Sequence, residues 1–158
     1  MRNVCAFAAL LLIPGTAPIS ASGPTTASVA VTVQVSARTS LHVSTHVLRF
    51  ALSDDNDRAT AAVDFAAGGR IPGGSDLVLT VQPAHALEGP GGAADAESVV
   101  TFEGDGNGTA AGTLASGAPA VAGRWQGSGL RQGRLLFTLR ASAAGVYTLP
   151  VQFVLSMP

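Results

Sequence analysis

The oxygen-bearing side chains of residues 103–108, E-G-D-G-N-G, are the best candidates for binding a metal ion. Glu103, Asp105 and Asn107 alternate as the first ligands of a calcium loop do. Such a loop also needs a bidentate carboxylate at its twelfth position, where this chain has Leu114. Asp, Asn and Gly are equally favoured in tight turns because they tolerate positive φ. We therefore expect a hairpin turn here and no metal site.

Two of the three histidines have a spacing that is also found in metal sites. On a helix, His42 and His46 would share a face. The surrounding residues alternate as in a strand, where positions four apart are separated by about 13 Å. We expect these histidines, and His85, to be solvent-facing residues.

The remaining reactive side chains do not form a recognisable catalytic motif. Ser128 is flanked by glycines but lacks the strand-turn-helix setting of a nucleophile elbow. Trp125 beside Arg124 has the composition of a sugar-stacking platform, yet a single Trp is more typical of a core or of a sheet cover. The acidic residues cluster in turns, and a small secreted hydrolase with paired carboxylates is only a third alternative. The sequence predicts a non-enzymatic protein with no catalytic residues, metal or cofactor.

The N-terminus has the three parts of a secretory signal. Arg2 is followed by an apolar run over residues 4–13, then by the helix breakers Pro14 and Gly15 and a series of small residues. The run is too short to anchor the protein in a bilayer. We expect a signal peptide at residues 1–21 and no transmembrane segment in the mature chain.

The mature chain is then a single domain, residues 22–158, exported to the periplasm, the cell surface or the medium. The chain's one cysteine, Cys5, lies within the signal, so the mature chain has no disulfide. Loss of Arg2 leaves eight basic residues against ten acidic ones, a formal charge of 8 − 10 = −2. With no basic patch, nucleic acid is not an expected partner.

Alternating apolar residues define the elements that must carry any site. One series is Val29, Val31, Val33 and Val35, and a second is Tyr147, Leu149, Val151, Phe153 and Leu155. Period-2 alternation predicts strands with one buried face. Pro150 predicts an edge or a bulge because it lacks an N–H.

About eight or nine such strands are separated by Gly, Pro and Asp turns, and no segment has helical periodicity. The pattern predicts an all-β protein, an immunoglobulin-like antiparallel β-sandwich. A partly closed barrel is the alternative fold.

Both ends of the chain resemble a known family. Residues 29–50, V-A-V-T-V-Q-V-S-A-R-T-S-L-H-V-S-T-H-V-L-R-F, resemble the start of mature spore-coat-U-like secreted pilins, and A-G-V-Y-T at 144–148 resembles their terminal strand. These pilins are subunits of archaic chaperone–usher fibres, and the family usually has a cysteine pair that this mature chain lacks.

The resemblance implies that each subunit lacks one strand, and that the N-terminal strand of the next subunit fills the resulting groove. Val29, Val31, Val33 and Val35 would then be the donor strand. The alternating residues of the terminal strand would line the acceptor groove, and a periplasmic chaperone would be a further partner.

Two functions follow as expectations. The first is a secreted structural or adhesive pilin-like surface subunit that assembles by β-strand addition. The alternative is a self-contained periplasmic or extracellular sandwich that binds a glycan or a protein through loops such as residues 83–97. The sequence leaves open whether the Val29–Val35 strand pairs within its own chain or with another copy.

Overall fold

The structure is a computed structural model that describes residues 36–158, and these residues form eleven strands and no helix. The proposed signal peptide and the candidate donor residues Val29, Val31, Val33 and Val35 lie outside the described residues. The strands are β1 (Arg38–Val43), β2 (Val47–Leu52), β3 (Arg58–Arg70), β4 (Asp76–Pro83), β5 (Glu88–Gly89), β6 (Gly92–Ala93), β7 (Val99–Asp105), β8 (Gly112–Leu114), β9 (Ala120–Gln126), β10 (Gly129–Arg140) and β11 (Gly145–Ser156).

The strands form two antiparallel sheets, so the predicted all-β sandwich is confirmed. The five-stranded sheet has the order β1-β3-β10-β7-β8. The six-stranded sheet has the order β6-β5-β11-β4-β9, with β2 as an additional partner of β11. Strands β3 and β10 pair along the whole of β10, from Arg140 opposite Arg58 to Gly129 opposite Gly69.

The core between the sheets is built from the inward-facing residues of each strand. Phe137 of β10 is completely buried at its centre. Its ring contacts Phe102 of β7, with centroids 5.9 Å apart, and Phe153 of β11 across the core, at 6.5 Å. Complete burial of one such side chain stabilises a fold by about 1.5–3 kcal/mol. This aromatic cluster therefore ties the two sheets together.

Tyr147, at the start of β11, fixes the turn that leads into this strand. Its ring is buried, and its hydroxyl donates a hydrogen bond to the carbonyl oxygen of Ala143 at 2.8 Å. A tyrosine that bonds to the backbone a few residues upstream is a recurring feature of immunoglobulin-like sandwiches. The turn and the strand are thus held together without a disulfide.

One lateral side of the sandwich is closed by main-chain hydrogen bonds between the sheets. The segment that links β7 to β8 runs beside β9. Ala110 N–H donates to Ala122 O at 3.0 Å, and Arg124 N–H donates to Gly108 O at 2.7 Å. On this side the molecule resembles the partly closed barrel that was the alternative prediction.

The opposite side is arranged differently, because the chain changes sheets there. β1 pairs with β3 in the five-stranded sheet, and after residues 44–46 the chain continues as β2 in the six-stranded sheet. β2 pairs with β11 only from Leu52–Gly145 to Val47–Pro150. One more bond follows, from Val151 N–H to His46 O at 2.8 Å. Beyond it, no strand of residues 36–158 pairs with the last part of β11 on this side.

Of the two positions expected for Pro150, an edge or a bulge, the edge is excluded, because β11 has neighbours on both sides of this residue. Its carbonyl accepts a bond from Ala84 N–H at 2.9 Å, at the point where β4 has ended and β5 has not yet begun. The missing N–H of proline is tolerated at this irregular junction.

Within residues 36–158 there is no helix that is both long and apolar enough to span a membrane.

Candidate functional site

The five apolar residues predicted to line an acceptor groove all face the core. Tyr147, Leu149, Val151 and Phe153 are buried, and Leu155 is half-buried near the end of β11. Their main-chain surroundings differ along the strand. β2 lies beside Tyr147 and Leu149, whereas Phe153 and Leu155 extend beyond its first residue.

The main-chain groups of Phe153 and Leu155 point away from β4, towards the side on which β2 pairs with the first half of β11. In an antiparallel strand the N–H and C=O of one residue point to the same neighbour, and this direction alternates along the strand. Val151 bonds to His46 on the β2 side, so Phe153 and Leu155, two and four residues on, point the same way. No strand of the described part of the chain pairs with them there.

Four of the five side chains beside these main-chain groups are apolar. Leu41 and Val43 of β1 are half-buried and pack against the core, as does Leu155 of β11. The ring of His46 lies 6.4 Å from that of Phe153, where the chain crosses between the sheets. We call the region formed by these five residues the open side.

Unpaired main-chain groups beside apolar side chains make the open side suitable for another strand. A buried N–H or C=O without a partner costs free energy, so such an edge is a template for strand pairing. An added strand with apolar residues on one face would satisfy both the main chain of β11 and the exposed parts of Leu41 and Val43. The arrangement of this region is therefore suited to pairing with the main chain of another strand.

Sequence reasoning identified only part of this region. It selected Val151, Phe153 and Leu155 from the alternation of β11, but it did not assign Leu41, Val43 or His46 to the same place. A signal was present for two of them, because Leu41 and Val43 continue the alternation that begins at Val29. Nothing in the local pattern indicates that they lie beside the far end of the chain.

His42 and His46 are not brought together. His42 lies on the outer face of the five-stranded sheet, in a shallow depression of about 560 Å³ that also includes Asp64, Asp105 and Arg134. His46 lies at the crossover beside Phe153. Both histidines are exposed, as expected, but only His42 is a strand residue, since His46 lies between β1 and β2.

The depression is dominated by an ion pair. Arg134 Nε donates to Asp64 Oδ1 at 2.7 Å, and its Nη2 contacts Asp64 Oδ2 at 3.4 Å. The hydrogen bond from Arg134, assisted by its positive charge, lowers the pKa of the Asp64 carboxyl, and the same contact raises the pKa of Arg134. Both side chains are more than half exposed, so the pair is a surface ion pair in water.

Residues 103–105 are the last residues of β7, and residues 106–108 form the turn that follows it. The carbonyl of Asn107 accepts a hydrogen bond from Trp125 Nε1–H at 2.7 Å, and the hydroxyl of Thr109 donates to Gly106 O at 2.6 Å. No cluster of three or more metal-binding side chains is found within residues 36–158. The main-chain oxygens of Gly106 and Asn107 thus hold the turn in place.

Trp125 belongs to the core. It is 7% exposed, and its ring lies 5.9 Å from that of Phe65. A sugar-stacking platform needs an exposed ring face, so the expectation of a core or sheet-covering role for Trp125 is confirmed.

Comparisons with known proteins add no assignment to this geometry. No protein-family model matches the chain, and no curated protein matches it.

Proposed function

We propose that this protein is an exported structural subunit that assembles by strand addition, in which an extended strand of a second copy pairs with β11 along the open side. The observation that carries the proposal is the difference between the two lateral sides of the sandwich. One side is closed by the Ala110–Ala122 and Arg124–Gly108 hydrogen bonds, and the other leaves the main chain of Phe153 and Leu155 without a strand neighbour among residues 36–158.

The segment best suited to fill the open side is the one that precedes β1. Val29, Val31, Val33 and Val35 would present four β-branched side chains on one face of an extended strand. That face suits the apolar walls formed by Leu41, Val43 and Leu155, and main-chain pairing would satisfy Phe153 and Leu155.

Pairing with another copy is favoured over pairing within the chain by the residues that join this segment to β1. To fill the open side of its own subunit, the segment would have to reverse direction over Ser36 and Ala37, which precede β1 and are exposed. Tight two-residue reversals favour Gly, Asn or Asp, which accept positive φ. Ser-Ala is poorly suited to such a turn, whereas an extended Ser-Ala linker can reach a neighbouring subunit.

The proposal includes export and a transient partner. A chain with an open apolar side must be kept from indiscriminate pairing until it assembles. A periplasmic chaperone that lends a strand to the same edge would serve this purpose, in line with the resemblance to chaperone–usher pilins. The assembled subunits would lie at the cell surface.

Size-exclusion chromatography with light scattering on residues 22–158 tests the proposal through matched pairs of variants. Val31→Asp with Val33→Asp places charges on the apolar face of the donor, and the control, Ala30→Asp with Thr32→Asp, places them on its opposite face. In the acceptor, Leu155→Asp is matched by Val154→Asp, which alters the neighbouring outward-facing residue.

The wild type and both controls should form oligomers, whereas the donor and acceptor variants should be folded monomers by circular dichroism. Mixing the donor variant with the acceptor variant should give a heterodimer. The donor variant still has an intact acceptor edge on β11, and the acceptor variant still has an intact donor strand. A folded monomeric wild type, or failure of the mixed variants to associate, would refute strand addition between copies.

A further inference from the structure

A separate cavity of about 140 Å³ lies beneath the irregular segment that follows β4. Its floor is made of the buried residues Val100, Leu114 and Leu149, which come from both sheets. Pro83 and Leu87 also line it. The floor of the cavity is therefore apolar.

The roof of the cavity is held in place by main-chain hydrogen bonds. Ala84 N–H donates to Pro150 O at 2.9 Å and attaches the start of the segment to β11. Ala94 N–H donates to Leu87 O, also at 2.9 Å, and closes the small β5–β6 hairpin. The cavity thus forms part of the folded chain and needs no ligand to shape it.

The polar groups of the cavity are few. His85, Ser98 and Ser116 line it together with the apolar residues, and His85 and Ser116 are exposed. Ligand sites commonly combine apolar walls with a small number of polar groups that orient the ligand. The exposed residues His85 and Ser116 lie where the cavity opens to solvent.

The size of the cavity limits what it can hold. An apolar cavity of about 150 Å³ in a protein core binds a molecule as large as benzene. The cavity of about 140 Å³ has room for one aromatic ring, and it opens to solvent beside the exposed residues His85 and Ser116. Water would find few partners among Val100, Leu114 and Leu149, so an apolar occupant is favoured.

We propose that this cavity is a binding site for a small monocyclic aromatic molecule with one polar substituent, with the ring on the apolar floor and the substituent near His85, Ser98 and Ser116. None of the lining residues belongs to β1, to β2 or to the part of β11 after Pro150. Binding here is therefore independent of strand addition at the open side.

Ligand-observed ¹⁹F NMR with 4-fluorobenzyl alcohol tests the site on residues 22–158, and it does not depend on whether the protein is monomeric or assembled. The wild type should bind the probe saturably, with a dissociation constant in the millimolar range or tighter. Ser98→Leu adds apolar volume at a half-buried lining position and should weaken binding at least tenfold. The control Ser53→Leu makes the same change at an exposed turn away from the cavity and should bind as the wild type does.

Removing part of the apolar wall gives a second test. Leu87→Ala removes a half-buried side chain that lines the cavity, and through the lost apolar contact it should also weaken binding of 4-fluorobenzyl alcohol. The proposal is overturned if folded wild type does not bind 4-fluorobenzyl alcohol saturably, or if Ser98→Leu binds it as well as Ser53→Leu does. Either result would leave the oligomerisation of the same samples, and so the proposed function, unaffected.

Discussion

Asp64 and Arg134 lie directly opposite each other on β3 and β10, and both side chains project from the outer face of the five-stranded sheet. The lowered pKa of Asp64 means that any stability from this pair is fully present above the ordinary aspartate pKa, and is lost as pH falls through the lowered value. Exposed ion pairs contribute little to stability. The effect of this pair should therefore be visible in titration more clearly than in unfolding.

A carboxyl-detected NMR titration of Arg134→Gln tests the cause of this pKa. Without the guanidinium, the titration midpoint of Asp64 should rise towards the ordinary aspartate value, while the unfolding midpoint at neutral pH changes little. Arg140→Gln, which removes the exposed partner of Asp57, should leave Asp64 unchanged. An unaltered Asp64 titration in Arg134→Gln would contradict the assignment.

At Gly108 a left-handed backbone conformation coincides with close packing of neighbouring atoms. Its φ is +79°, and a Cβ at this position would lie 2.6 Å from both Arg124 O and the ring of Trp125. Gly74 has a similar φ of +86° with no atom within 4 Å of its Cβ position. The two glycines therefore separate the cost of a left-handed backbone from the cost of a steric clash.

We expect Gly74→Ala to destabilise the fold by about 1 kcal/mol, because only the left-handed conformation is penalised. Gly108→Ala should cost about 2–4 kcal/mol, since overpacking against Trp125 and the main chain is added. Urea unfolding followed by far-ultraviolet circular dichroism measures both changes. Equal losses would show that the contact between residues 108 and 125 is looser than described.

At the scale of elements, β11 is the strand around which the site is organised. Its first half lies between β2 and β5, and its second half pairs with β4 on one side only among the described strands. The strand is therefore anchored in the core by Tyr147 and Phe153, yet on one side of its last part no strand of residues 36–158 pairs with it. In the proposed assembly, such a firmly held strand would be a stable acceptor for another strand.

Amide hydrogen exchange resolves this difference along β11. In the monomeric Val31→Asp, Val33→Asp variant, the amides of Phe153 and Leu155 should exchange faster than that of Val151, which bonds to His46. In assembled wild type they should be protected, whereas Ala110 should be protected in both samples. Protection of Phe153 and Leu155 in the monomeric variant would mean that the edge is already covered within one chain.

Other elements show the limits of reading strands from the sequence. β5, β6 and β8 have two or three residues each, too few for alternation to be recognised. β3 continues through Gly68 and Gly69 to Arg70. A Cβ at Gly68 would lie 2.7 Å from Ser40 Oγ, so β1 approaches β3 closely there and a larger residue would require the Ser40 side chain to move.

At the scale of the whole molecule, one core supports two different lateral sides. Phe137 and its aromatic neighbours join the sheets in the middle. Main-chain hydrogen bonds close one side, and a change of sheet by the N-terminal part of the described chain leaves the other side open. Assembly through the open side would therefore leave the core and the closed side unchanged.

The sequence by itself determined where the longer strands lie and which face of each is buried, because both follow from period-2 alternation within a few residues. It also determined that no internal disulfide can form, since Cys5 is the one cysteine. The inward faces of β2, β10 and β11 follow from this pattern alone.

Only the tertiary structure decided which edges are paired. Ala110 bonds to Ala122 and Val151 bonds to His46, and nothing in either local pattern specifies these partners. Main-chain N–H and C=O groups are nearly the same in every residue, so the choice of partner depends on how the whole chain packs. The open side at Phe153 and Leu155 is for this reason a property of the fold and not of any single strand.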